Sequence, residues 1–421
     1  MTDDPTPAPR TGERIAWLDG LRGLAACQVV LLHYVTACLP GLGMVNPALM
    51  RHAWERTVAG SPFFAVLNGY DAVYLFFLMS GVALTCSFSR ENLAMAGWAA
   101  RRLVRLGVPM AASVLLGYAL ISAFPLAHVE AAAVTGSQPW LGALSPREPT
   151  IRMALHQIVL DGMILGTTPE SLAPAWLVSA LGLRRYATAE SFNVPLWTLH
   201  LEFASSLLVI GLVAARACLP RRRHLALSLA LTAALANSPL CLFALGHLAA
   251  PAILRDRPWP FRRAVGGALL ALGLVLCAGQ PWQPIRWLDA HLPGPLIGPR
   301  MDAMRLQALL AVILVFAGLA MLPVARGWLA RPAARWMGRL SFSLYLVHFP
   351  VLFTLVSTLF LAIHERVPYW LALAVCGVAG VTVSVVLAMI FERWIDRPAI
   401  RLSRRVGGSA AVARSLPVAV P

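Results

Sequence analysis

Arg22 and His33 lie eleven residues apart in an otherwise apolar run from 18 to 39, where an ionisable side chain is expensive unless it has work to do. At about 100° per residue the two return to within about 20° of each other, roughly 16 Å apart along a helix axis. They therefore share a face. Asp19, three residues before Arg22, is spaced for an i,i+3 ion pair that would lower the cost of burying either charge. A buried histidine is the side chain best suited to take up and return a proton near neutral pH. A carboxylate at similar depth would orient and polarise it, and Glu202, about two turns into the apolar run 194 to 217, is the candidate. Its possible partners are His33, Arg22, His200, His247 and His348. If that run descends from the outer face, Glu202 reaches the depth of His33. A His33–Glu202 pair is then the expected contact.

Two further groupings could act on a substrate. In Trp98-Ala-Ala-Arg-Arg-Leu-Val-Arg-Leu, either Arg101 or Arg102 shares a helix face with Arg105, and guanidinium groups bind phosphate bidentately. Lipid headgroup contact or topology retention would explain the same cluster. Ser341, Tyr345 and His348, at i, i+4 and i+7, form a polar stripe whose ordinary role in a membrane helix is interhelical bonding. The seven cysteines show no CxxC or CxxH spacing, so they read as packing residues and no metal site is expected.

The elements that hold these groups follow from hydropathy. With 58% hydrophobic residues, 13% charged residues and a mean hydropathy of +0.70, the chain carries more apolar surface than one soluble core can hide. A bilayer accepts it only as helices of about 20 apolar residues. Such runs occur near 18 to 39, 70 to 89, 107 to 127, 194 to 217, 263 to 280, 305 to 323, 340 to 361 and 369 to 391. The stretch 224 to 254 reads as two short spans broken around Asn237, Ser238 and Pro239. The fold class is thus all-α and integral to the membrane, a polytopic bundle of about ten transmembrane helices.

Arginine placement agrees with ten. No lysine occurs, and ten spans from a cytosolic N-terminus place on one side Arg10 and Arg14, Arg90 to Arg105, Arg216 to Arg223, Arg255 to Arg263, Arg326 to Arg339 and Arg393 to Arg414. The net charge of +16 is mainly this solvated rim and does not suggest a nucleic-acid partner. Residues 1 to 14 read as a disordered cytosolic arm, 15 to 402 as one membrane domain, and 403 to 421 as a cytosolic tail, disordered from 406. A long outer loop, 128 to 193, contains an apolar segment from Ile151 to Leu165 interrupted by His156, Gln157 and Asp161. That pattern fits an interfacial or re-entrant helix.

Taken together, the chain resembles the membrane-bound acyltransferase 3 family from about Ile15 to Leu402. The residues that carry the resemblance are Leu18-Asp-Gly-Leu-Arg-Gly-Leu-Ala with the Arg22 and His33 pair, Phe76-Phe-Leu-Met-Ser-Gly-Val, and the RxxR pair Arg102 and Arg105. They continue with Leu196-Trp-Thr-Leu-His-Leu-Glu, Gly338-Arg-Leu-Ser-Phe-Ser-Leu-Tyr-Leu-Val-His-Phe-Pro and Phe391-Glu-Arg-Trp-Ile-Asp-Arg-Pro.

The resemblance implies an O-acyltransferase of a bacterial cytoplasmic membrane, with both termini cytosolic. It implies no bound cofactor. The donor substrate would be acyl-CoA, acetyl-CoA above all, and the acceptor a hydroxyl of a carbohydrate or lipid-linked glycan. His33, Glu202 and Arg22 would be catalytic. Arg102 and Arg105 would hold the CoA phosphates, and Asp19, Trp197, Ser341, Tyr345 and His348 would complete the substrate site. Direct transfer and an acyl-enzyme are both open to a histidine. The rival reading is a proton-coupled transporter using the buried Arg, His and Glu as a relay. The lack of internal repeats and the cytosolic RxxR cluster argue against it.

Overall fold

The computed structural model describes residues 15–89, 94–169, 171–255, 260–295 and 300–412. The expected arm 1–14, with Arg10 and Arg14, lies outside these residues, as do Arg90, Arg257, Arg414 and the rest of the tail from 413. Ten helices of 14 residues or more precede the last one described, Arg397–Val412. They are α1 Ala16–Cys38, α2 Gly69–Phe88, α3 Met95–Ala123, α4 Trp197–Cys218, α5 Arg221–Ala234, α6 Cys241–Arg255, α7 Arg262–Leu276, α8 Ala303–Met321, α9 Pro332–Val351 and α10 Tyr369–Phe391. Seven of them are long and apolar enough to cross a bilayer. The others, α5, α6 and α7, have 14 or 15 residues and rise only about 22 Å against a hydrocarbon core of about 30 Å. The run 224 to 254 does divide where Asn237, Ser238 and Pro239 interrupt it. Side-chain caps mark two starts: Asn68 accepts from the Asp71 amide of α2, and Asp302 accepts from the Arg305 amide of α8.

The tail departs from expectation. Instead of becoming disordered at 406, the chain stays helical to Val412, because α10 continues through a wide turn, Glu392–Asp396, into a helix from Arg397 to Val412. That extension buries Ala399 and Ser403 and packs on α3. Asp396 fastens it by an ion pair to Arg105.

Close backbone approach explains why glycines punctuate the motifs. A Cβ on Gly23 would lie 2.6 Å from the Gly338 nitrogen, and one on Gly338 would lie 1.9 Å from the Asp19 carbonyl oxygen. The α1 and α9 backbones therefore touch, as small residues allow in membrane helices. The two helices run parallel, and the offset that sets Gly23 beside Gly338 also sets His33 beside His348. A second seam joins α2 to α6, where a Cβ on Gly81 would meet the Phe243 carbonyl at 2.4 Å.

Pro350 governs the depth of the site. Lacking an N–H, it leaves the Leu346 carbonyl without its helical donor. Ser113 Oγ of α3 supplies one replacement at 2.8 Å, and Asn193 Nδ2 another at 2.7 Å. Asn193 also donates to Ser113 Oγ at 2.7 Å. The chain preceding α4 is thereby drawn into the bundle, and the turn Val194–Leu196 buries Pro195 and Leu196. The helix expected near 151 to 165 is present as Ile151–His156, widening into Gln157–Leu165. It exposes Ile151, Leu155, Val159 and Ile164 as a lipid-compatible stripe, while Gly162 sits against Met110 of α3 and Gly166 against His200 of α4.

Candidate active site

Two cavities lie within the bundle and share Val73 and Tyr345 in their walls. The inner one, about 190 Å³, is lined by Arg22, Ser80, Arg102, Arg105, Glu202 and Ser341 among others. Arg102 and Arg105 stand in the first turns of α3, at the end where α1 and α9 also begin, so this cavity faces the arginine-rich rim. Arg102 donates from Nη2 to Glu202 Oε1 at 2.9 Å and from Nε to Ser206 Oγ at 2.9 Å. Arg105 donates from both terminal nitrogens to Asp396, and its guanidinium lies 4.9 Å over the Phe342 ring. Among the described residues Arg22 has only the Ser80 hydroxyl, at 3.5 Å. Three guanidinium groups thus meet two carboxylates, and the cavity keeps a positive surplus at Arg22.

The expected His33–Glu202 contact is not formed. Asn193 fixes the start of α4 at the level of Ser113. Glu202, nine residues further on, is therefore about 13 Å deeper and meets Arg102 of the oppositely running α3. The expected Asp19–Arg22 pair is also absent among the described residues. Asp19 is exposed in the first turn of α1, where the helix dipole favours an anion without further help.

His33 lines the outer cavity, about 410 Å³, with Tyr70, Trp140, Trp197 and Arg305. Its partner is His348, expected as a substrate contact, whose Nε2 lies 2.8 Å from His33 Nδ1. The rings are stacked at 5.1 Å, with Trp140 5.6 Å and Phe349 5.5 Å from His33. The hydrogen bonds fix the tautomers. His348 Nδ1 faces the Leu344 carbonyl at 2.9 Å, which can only accept, so this nitrogen carries the proton and Nε2 of the neutral ring accepts. His33 Nδ1–H then donates, and the basic lone pair of His33 falls on Nε2. A carboxylate partner is not needed to orient this ring. A fully buried histidine, held by a backbone carbonyl, does it.

A family model, Acyl_transf_3, described as an acyltransferase domain, matches residues 15–389. The chain belongs to the acyltransferase 3 family. It is also similar to the O-acetyltransferase PaAT-1 of Phomopsis amygdali, at 25% identity over 92% of this chain and 84% of that protein. No solved structure matches. As an acyltransferase of that family and a membrane protein, the molecule has its motif residues on the two cavity walls. Arg22, Arg102, Arg105, Glu202 and Ser341 are on the inner wall, His33 and Trp197 on the outer, and Tyr345 between them. Asp19 and His348 line neither.

Several residues of the site carried no signal readable in isolation. Ser80 and Ser206 are small hydroxyls within apolar helices. Asp396 stands in the run Phe391-Glu-Arg-Trp-Ile-Asp-Arg-Pro, where nothing in the spacing points to Arg105. Trp140 lies in the long loop and reaches His33 only through tertiary folding.

Proposed function

We propose that the protein is a membrane O-acyltransferase that moves an acyl group, acetyl foremost, from acyl-CoA to a hydroxyl acceptor. The donor enters the inner cavity from the arginine-rich rim, taken as cytosolic. The acceptor enters the outer cavity from the opposite end, taken as the outer face. The observation that carries this reading is the His33–His348 pair, which leaves His33 Nε2 as a base at the wall of one cavity while an arginine-lined cavity backs onto it at Tyr345.

In the proposed step the acceptor oxygen attacks the thioester carbonyl carbon as Nε2 of His33 removes its proton. The carbon–sulfur bond breaks, and the protonated ring returns the proton to the CoA sulfur. The His33 imidazolium is favoured by the hydrogen bond its Nδ1–H makes to His348. Arg22, with its surplus charge, and the N–H groups of Arg102 and Arg105 that the carboxylates do not use are suited to phosphate and pantetheine oxygens. Purified protein in nanodiscs is expected to release CoA thiol from acetyl-CoA when an acceptor is present, in step with ester formation. Transport of acceptor without thiol release would overturn the proposal.

Tyr345 would govern passage between the cavities. Its hydroxyl bonds the Pro195 carbonyl and lies 2.7 Å from Thr198 Oγ1, so the ring is pinned from α4 while α9 carries it. Tyr345→Ala is expected to join the cavities and admit water to the thioester. Acceptor-independent thiol release should rise and ester yield per CoA should fall by about tenfold. Tyr345→Phe, which keeps the ring, should retain most of the coupling. The ratio of thiol to ester checks both.

A further inference from the structure

The outer cavity is built unlike a site for a bare sugar. Trp140, Trp197, Leu144, Met44, Met304 and Pro169 contribute to its wall, and among the described lining residues there is no Asp, Glu, Asn or Gln. Those side chains offer the paired acceptors and donors that match neighbouring hydroxyls on a polyol. The lining hydroxyls of Thr36, Thr188 and Tyr345 already donate their protons within the protein. Thr36 Oγ1 donates to the Leu32 carbonyl at 2.7 Å, Thr188 Oγ1 to the Thr168 carbonyl at 2.9 Å, and Tyr345 to the Pro195 carbonyl. Tyr70 and Arg305 also have partners within the protein. A polyol entering here would lose water from several hydroxyls and regain few bonds. A hydrocarbon body would lose nothing and gain contact with two indole rings.

The stretch between Pro169 and Thr188 points the same way. Pro169 and Thr188 border the cavity, and between them in sequence Trp176 is 70% and Leu181 61% exposed. An exposed tryptophan and leucine in the chain between two lining residues suit a membrane interface better than bulk water.

We propose that the acceptor is an apolar or amphiphilic alcohol that arrives from the bilayer surface. Its hydroxyl reaches His33 Nε2, and its hydrocarbon body lies against Trp140 and Trp197. This rests on the acyltransferase reading above and narrows it, away from the carbohydrate expected by resemblance.

The test compares acceptor-stimulated thiol release from acetyl-CoA, by full-length protein in nanodiscs, with decanol and cyclohexylmethanol against methyl glucoside and sucrose. The apolar alcohols are expected to be esterified with kcat/KM at least about tenfold higher than the sugars. Trp197→Ser should raise KM for decanol about tenfold with kcat little changed, as loss of uniform binding requires, and Trp197→Phe should restore most of it. Equal or better use of the sugars would overturn the acceptor class and leave the acyltransferase reading standing. Stimulation by neither class would overturn both.

Discussion

Replacing His33 by alanine is expected to lower kcat for acyl transfer by about 10²- to 10⁴-fold, the usual span for a general base, while KM for acetyl-CoA stays near the wild-type value. The inner cavity, proposed for the donor, is lined by other residues, and in the proposed step the proton is lost from the acceptor only in the transition state, so ground-state binding has no reason to change. Because the base works unprotonated, the wild-type rate should fall as pH is lowered through the titration of His33. His348 gives the companion result. His348→Leu removes the acceptor that holds His33 Nδ1–H at 2.8 Å, so the ring loses its fixed tautomer and orientation. A fall of about 10- to 100-fold is expected, the size of the loss when the residue orienting a metal-ligating histidine is removed. His348→Gln presents a carbonyl oxygen to the same N–H and should lose less. Single-turnover rates with saturating acetyl-CoA check the series. A His33→Ala protein that transfers acetyl at the wild-type rate would remove His33 from the chemistry.

That contrast shows how far the sequence could be read. Helix periodicity placed Arg22 and His33 on one inward face, and both do line cavities in the bundle interior. The stripe Ser341, Tyr345 and His348 was legible for the same reason, since one helix carries all three. Partners on different helices were not legible, because pairing across a bundle depends on depth. Depth along α4 is set by Asn193, which follows the Leu346 carbonyl that Pro350 leaves open. One proline on α9 thus decides that Glu202 meets Arg102 and not His33. Counting residues from a hydropathy boundary would place α4 too high, as it takes no account of a loop that dips into the protein before the helix begins. The three short helices illustrate another limit. Apolar length predicts a span, and α5 to α7 fall short of one in extent while keeping their place in the order.

The Arg102–Glu202 pair provides the second large expected effect, because its two possible roles separate by experiment. Side-chain exposures of 14% and 22% place both groups away from bulk water. Arg102→Gln alone leaves Glu202 without its cation, and breaking a half-buried pair costs between about 1 kcal/mol, as for an exposed pair, and about 3–5 kcal/mol, as for a fully buried one. A marked fall in unfolding temperature is expected, and Glu202→Gln alone should also destabilise by leaving Arg102 unneutralised. The double variant, Arg102→Gln with Glu202→Gln, leaves no orphan charge and should recover most of the stability, since an amide pair can still bridge α3 and α4. Donor binding should not recover with it. If Arg102 also contacts the donor, KM for acetyl-CoA stays raised by about tenfold or more in the double variant, the loss of one hydrogen bond from a charged group. Recovery of both unfolding temperature and KM would make Arg102 a brace between helices, and would leave Arg22, the cavity arginine with no carboxylate in reach among the described residues, to attract the anionic donor.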